Sequence, residues 1–169
     1  MSTVHLHLLL NHVPVIGTII GLCLLAYAAL RKDEGLARAS LGMFAVLALV
    51  AIATFLTGEP AEEAVEGMAG VSESFIERHE EAALLSTIAL GVLGALSLGM
   101  LLWFRRRHLP RLAAVAFLAA GLIPAGAMAW TANLGGQIRH TEIRSGPGAP
   151  AGTVADGPGG VEADEERED

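Results

Sequence analysis

Charged residues are scarce in this chain and nearly missing from four long stretches. Asp, Glu, Lys and Arg together make up 17% of the 169 residues, whereas a typical soluble domain has about a quarter. The nearly uncharged runs span residues 8–30, 36–56, 82–104 and 112–132. Each has roughly 20 residues, enough for a helix to cross about 30 Å of hydrocarbon. We therefore predict an all-α fold, a four-helix transmembrane bundle.

Residue types and motifs that are scarce or missing exclude or disfavour several classes of function. Cys23 is the only cysteine, which excludes an intrachain disulfide and covalent haem attachment through Cys-x-x-Cys-His. No Asp or Glu lies within the four apolar runs. A proton or ion path through the bilayer would need such residues, so a transporter is disfavoured. No nucleophile motif supports a hydrolase, and nothing in the sequence suggests a nucleic-acid partner.

Basic residues are missing before the first apolar run, which argues against a cleaved signal peptide. They concentrate instead in the two short turns after the first and third runs, whereas the N-terminus has none and the 58–81 loop has only Arg78. By the positive-inside rule, both basic turns are expected in the cytoplasm, and both termini and the 58–81 loop outside it. The residues of the two turns are Arg31, Lys32 and Arg38, then Arg105, Arg106, Arg107 and Arg111.

We divide the chain into a membrane domain, residues 1–144, and an acidic tail, 145–169. The tail is rich in Gly, Pro and acids and cannot bury a core, so it is expected to be disordered. An outer-face cap is expected from residues 58–81 and 133–144, with the fourth helix ending at the glycines 135–136. Ser74 and Glu77 have the spacing of a capping box that would start the third helix. No internal repeat is evident.

Small residues recur at four-residue intervals in two of the predicted helices. Gly17 and Gly21 form such a pair in the first, and Gly91, Ala95 and Gly99 form a stripe in the third. This spacing lets helix backbones approach closely. We expect these faces to pack, either within the bundle or, for the first helix, between two copies of the chain.

Five of the six histidines are predicted to gather at the outer face. Measured from the inner boundary at Leu30 and Phe104, His5 and His79 each lie about 25 residues outward, or roughly 37 Å along a helix. His7 and His12 lie slightly lower, and His140 follows the fourth helix. Only His108 belongs to the inner side.

Imidazoles at one level suit haem iron, copper or zinc. In an up-down bundle the first and third helices are diagonal, roughly 12–14 Å apart. A b-type haem would fit there, with His79 and either His7 or His12 as axial ligands. Asn11, Arg78 and Glu80 would orient ligands or pair with propionates. Copper or zinc binding by His5, His7, His12, His79 and His140 is the alternative.

Other interpretations stay open. A histidine at a helix end is often only an interfacial residue. The acids between Glu59 and Glu81 are either a solvated face or an attraction for a basic redox partner outside the membrane. From another class, the chain would be a non-catalytic structural or assembly subunit of a larger membrane complex, docked through its glycine stripes.

The outer-face motifs resemble those of a family of small, uncharacterised four-helix bacterial inner-membrane proteins. The likeness covers about residues 4–144, and implies multi-pass insertion in the bacterial inner membrane. It is also similar to a wider membrane-domain family, some of whose members are joined to Rieske or cytochrome c modules, which implies redox partners by association. The motifs are His5-x-His7-Leu8-x-Leu10-Asn11-His12-x-Pro14-x-x-Gly17, Thr57-Gly58-Glu59-x-Ala61-Glu62-Glu63, Glu77-x-His79-Glu80 and Gly135-Gly136-x-Ile138-Arg139-His140.

Overall fold

The computed structural model describes residues 2–68, 70–140 and 143–144, and in these residues the chain is helical without strands. The helices are α1 (Thr3–Leu10), α2 (His12–Arg31), α3 (Glu34–Leu56), α4 (Gly58–Glu63), α5 (Glu73–Trp103) and α6 (Arg111–Arg139). Four segments are long and apolar enough to cross a membrane: Thr3–Arg31, Glu34–Leu56, Glu73–Trp103 and Arg111–Arg139. This confirms the all-helical prediction with four candidate spans. The predicted acidic tail lies outside the described residues.

The four long helices form a ring in which each packs on two others. Chain neighbours α2 and α3, α3 and α5, and α5 and α6 are in contact, and α6 closes the ring on α2. Large apolar side chains such as Ile19, Leu49 and Leu122 point outward. Small polar ones such as Thr18 and Ser40 are fully buried. Apolar residues outside and small polar ones inside suit a bundle surrounded by lipid.

The first span is interrupted at Asn11, between α1 and α2. Pro14 lacks a backbone N–H and therefore cannot bond to the carbonyl of Leu10. The last turn of α1 is closed instead by the backbone N–H of Asn11, which donates to the carbonyl of His7. The break separates the short helix that carries His7 from the rest of the span; the end of the bundle at which His7 lies is called the outer end below, after the predicted orientation.

Two helix ends differ from their predictions. α6 does not stop at Gly135 and Gly136 but continues to Arg139. α5 begins at Glu73 after Ser72, so the capping box at Ser74 and Glu77 does not start it.

Glycines in α2 and α5 allow the helices to approach closely. A Cβ on Gly17 would meet the Leu47 side chain, and one on Gly21 would meet the Phe44 ring. A Cβ on Gly94 would lie 2.5 Å from Cβ of Ala48 and 2.9 Å from the carbonyl oxygen of Phe44. The Gly17–Gly21 pair is therefore used within the chain, against α3.

The other predicted stripe does not pack inside the bundle. A Cβ on Gly91 or on Gly99 would meet no atom within 4 Å, and Ala95 is exposed. The contact face of α5 lies three residues away, at Gly94. The four-residue spacing was correct for a smooth face, but the face points away from the neighbouring helices.

The two helical hairpins repeat one another. A shift of 72 residues takes the last residue of α2, Arg31, to the last residue of α5, Trp103. A shift of 77 residues takes the first residue of α3, Glu34, to the first residue of α6, Arg111. The shifts differ by five because the turn between α5 and α6 is five residues longer than the turn between α2 and α3.

Ten pairs of buried positions coincide under the same shifts, so the two hairpins share part of their burial pattern. Residue types differ at most of these positions, which hides the repeat in the sequence. The ring of contacts is also unchanged when the hairpins are exchanged, as a two-fold axis along the bundle requires. The matched buried pairs are Pro14/Ser86, Thr18/Leu90, Gly21/Leu93, Leu22/Gly94 and Leu25/Ser97, then Ala37/Ala114, Ser40/Phe117, Phe44/Gly121, Leu47/Pro124 and Ala51/Met128.

The glycines of α5 give a direct stability test. We expect Gly94→Ala to lower the free energy of unfolding by about 1–3 kcal/mol, because the new methyl group overpacks a backbone contact. Gly91→Ala, three residues away on the same helix, meets open space and should be neutral or slightly stabilising. Unfolding of the detergent-solubilised protein measures both, and equal losses would contradict the packing described.

Candidate functional site

His7 is tied to the outer end of α3. Its Nδ1 lies 3.1 Å from the backbone carbonyl oxygen of Thr54 and 3.3 Å from Oγ1 of Thr57. The Thr57 hydroxyl donates its own hydrogen to that same carbonyl, at 2.8 Å. Both oxygens can therefore only accept from the imidazole, so Nδ1 of His7 carries the hydrogen.

His79 makes the equivalent bond in the second hairpin. Its Nδ1 donates to the backbone carbonyl oxygen of Thr131, at 3.0 Å. The Thr131 hydroxyl donates to the carbonyl of Ala127 and accepts from Ser86, at 3.0 and 2.8 Å. The repeat relates His7 to His79 and Thr54 to Thr131, so two matched imidazole–carbonyl bonds stand at one end of the bundle.

The two bonds fix the chemistry of the rings. A neutral imidazole has one N–H and one lone pair. With the hydrogen on Nδ1, the lone pair of each ring is on Nε2, the nitrogen that a metal would bind. Histidines that bind metals usually donate their other N–H to a carbonyl or carboxylate in this way. Both rings thus have the tautomer and the orienting bond of a metal ligand.

A glycine lies one turn beyond each threonine, beside the ring, and at Gly135 the missing side chain makes room for it. A Cβ on Gly135 would lie 3.0 Å from Cε1 and 3.2 Å from Nδ1 of His79. A Cβ on Gly58 would lie 3.6 Å from Cε1 of His7, an ordinary contact. Gly135 of α6 therefore lies directly against the His79 ring of α5. The glycine serves this helix contact, and α6 continues past it to Arg139.

The structure gives His7 and His79 matched, half-buried positions near the same end of the bundle and leaves the other candidate histidines at the surface. His7 lies on α1, which continues into α2, and His79 lies on α5; α2 and α5 stand across the bundle. His12 and His140 are exposed, and so is His5, whose Nδ1 lies 3.0 Å from Oγ of Ser2. Of the two partners predicted for His79, His7 is the one that is half-buried and makes the same bond to a helix carbonyl.

No group of three or more His, Cys, Asp or Glu side chains suited to holding a metal ion occurs in residues 2–68, 70–140 and 143–144. The five predicted metal ligands therefore do not form one cluster there. What the structure shows is two half-buried imidazoles, His7 and His79, with equivalent bonds to helix carbonyls.

The three predicted supporting residues have different surroundings. Oδ1 of Asn11, one turn after His7, is buried, and no described residue forms a hydrogen bond with it. The Arg78 guanidinium lies over the Phe75 ring, 5.8 Å from its centre. Glu80 adds to the negative charge around Glu62 of α4. Burial raises the pKa of Glu62 most, and the charges of Glu80, Glu66 and Glu59 raise it further.

Arg144 holds the outer cap together. Its guanidinium donates to the carbonyls of Gln137, Ile138 and Gly70 at 2.7, 2.9 and 2.6 Å. It also lies 5.1 Å from the centre of the buried Phe75 ring. One side chain thus joins the end of α6, the loop before α5 and the first turn of α5, the helix that carries His79.

Sequence reasoning missed the groups that receive the imidazole bonds, Thr54 and Thr131, and the role of Gly135. The available signal was a Thr-x-x-x-Gly spacing near the outer end of the second helix of each hairpin, at Thr54–Gly58 and Thr131–Gly135. Paired with an upstream histidine in each hairpin, this spacing would have indicated both the repeat and the bonds.

Comparison with known proteins identifies no relatives: no family model, curated protein or solved structure matches the chain. The resemblance drawn from the outer-face motifs therefore stays a prediction.

The two glycines provide a matched pair of variants. Gly135→Ala should displace the His79 ring and weaken its bond to the Thr131 carbonyl, a loss of about 0.5–1.5 kcal/mol in the free energy of unfolding. Gly58→Ala should cost less than about 0.5 kcal/mol, because its methyl group reaches His7 only at ordinary contact distance. Thermal unfolding in detergent compares them; the reverse order would disprove the role assigned to Gly135.

Proposed function

We propose that this chain is an integral membrane protein that binds a b-type haem through His7 and His79 at the outer end of its bundle and takes part in electron transfer. The observation that supports the proposal is the matched pair of Nδ1–H bonds to helix carbonyls, which leaves both Nε2 lone pairs available. The repeat adds support, since it gives the two rings equivalent places about one axis.

The donor set suits haem better than a bare ion. A structural zinc site usually has four protein ligands, and the described residues contain no group of even three side chains suited to a metal ion. Haem iron already has four ligands from its porphyrin, so two imidazoles complete its coordination. When bound, the haem would supply a one-electron redox couple. Copper held by the same two rings is the second metal chemistry to test.

The chain's own residues would set the properties of such a centre. The Thr54 and Thr131 carbonyls orient the rings and make Nε2 a stronger donor. Arg144 holds the loop and helix ends around α5 in place. The acids near Glu62 and Glu80 surround the site with negative charge, which would attract a basic redox partner outside the membrane.

Absorption spectra of the protein extracted from membranes test the proposal. The wild type should have a Soret band, and His7→Ala and His79→Ala should each abolish it or reduce it at least tenfold, because each removes an axial ligand. His5→Ala and His12→Ala should keep it, because both residues are exposed and neither is a proposed axial ligand.

Metal analysis of the same samples separates the alternatives. A colourless protein that contains one copper, lost in the His7 and His79 variants, would support copper binding by the pair. A colourless, metal-free protein would contradict the cofactor proposal. In that case the two imidazoles would serve only to tie α1 to α3 and α5 to α6, as in a structural subunit.

A further inference from the structure

The longer of the two inner turns, residues 104–110 between α5 and α6, has three consecutive arginines, Arg105, Arg106 and Arg107. All three are exposed. In the described part of the chain, no carboxylate forms an ion pair with them, since both ion pairs there use Glu34. The equivalent turn of the first hairpin has only two residues, so this basic turn is the main departure from the repeat.

The backbone of this turn is held in place by α3. Arg38 donates to the carbonyl oxygens of Phe104 and Arg107, at 2.9 and 2.7 Å. Glu34 accepts from the backbone N–H of Leu109 at 3.0 Å and from Nδ1 of His108 at 2.9 Å. The turn is therefore ordered by protein contacts, and a ligand would not have to order it.

A polar groove of about 430 Å³ lies over the turn, lined by Glu34, Arg38, Arg105, Arg106, Arg107 and His108. Glu34, the only acid in this lining, already accepts from Arg38, His108 and the Leu109 backbone. The Glu34 carboxylate thus already has partners within the turn and on α3, and it does not neutralise the three arginines. The three arginines supply uncompensated positive charge in a planar, bidentate form that matches phosphate oxygens.

The groove lies at the level of lipid headgroups. Trp103, the last residue of α5, is 73% exposed, and tryptophan prefers the boundary between hydrocarbon and water. The arginines begin two residues later. Basic groups at this level on one side of a bundle are typical of sites for anionic headgroups.

We propose that the turn 104–110 binds a phosphate group, and that its source is the headgroup of an anionic phospholipid. The proposal concerns the face opposite to the histidine pair and does not depend on a cofactor there. The experiment uses the full chain, delipidated in detergent, with phosphatidylglycerol, phosphatidylcholine and inorganic phosphate as separate probes, and native mass spectrometry as the readout.

Phosphatidylglycerol should bind to the wild type at least ten times more tightly than phosphatidylcholine. The variant Arg105→Gln/Arg106→Gln/Arg107→Gln should lose at least a factor of ten in this binding, since each basic residue contributes roughly fivefold. Arg31→Gln/Lys32→Gln removes charge from the other inner turn and should change it less than about threefold. Lysine at the three arginine positions should give intermediate binding, because charge is kept and bidentate geometry is lost.

Equal losses in the two glutamine variants would overturn the proposal, because the effect would then come from the general charge of this face. Equal binding of the two lipids by the wild type would overturn it as well. Inorganic phosphate that binds to the wild type as tightly as phosphatidylglycerol, and not to the triple glutamine variant, would support the phosphate site but overturn the lipid source.

Discussion

The outer half of this bundle depends on one interaction made twice, an imidazole N–H donated to a helix carbonyl. It joins α1 to α3 through His7 and Thr54, and α5 to α6 through His79 and Thr131. A buried ring nitrogen needs a partner, and a carbonyl can only accept. The bond therefore fixes the position of the proton as well as the ring. The proposed cofactor chemistry follows from that fixed proton.

Close packing at a few glycines makes these bonds possible. At Gly94, α5 approaches the backbone of α3, and at Gly135 the His79 ring fits against α6. Lipid supplies little hydrophobic driving force between helices, so surface complementarity and hydrogen bonds have to hold them. The repeat applies this solution to both hairpins, with Arg38 and Glu34 joining the inner ends of α3 and α5.

Coarse features were predictable because they depend on summed properties. Twenty apolar residues define a span whatever their order, and helical rise places His7 and His79 at similar heights. The direction in which a side chain faces was not predictable. His7 and His12 were both predicted near the outer membrane boundary, yet His12 is exposed and His7 is half-buried. Gly135 looked like a helix end because glycine often ends helices; here it relieves a contact with another helix, which only the three-dimensional structure can reveal. The repeat was hidden because matched positions share burial rather than residue type, as in Thr18 and Leu90.

The position of the hydrogen on the His7 and His79 rings tests the central claim most directly. In protein labelled with ¹⁵N-histidine and placed in bilayers, solid-state NMR should find His7 and His79 with hydrogen on Nδ1 and none on Nε2, identified by their loss in His7→Ala and His79→Ala. Hydrogen on Nε2 with a bare Nδ1 in either ring would contradict it, because neither carbonyl bond could then exist and no lone pair would be left on Nε2 for a metal.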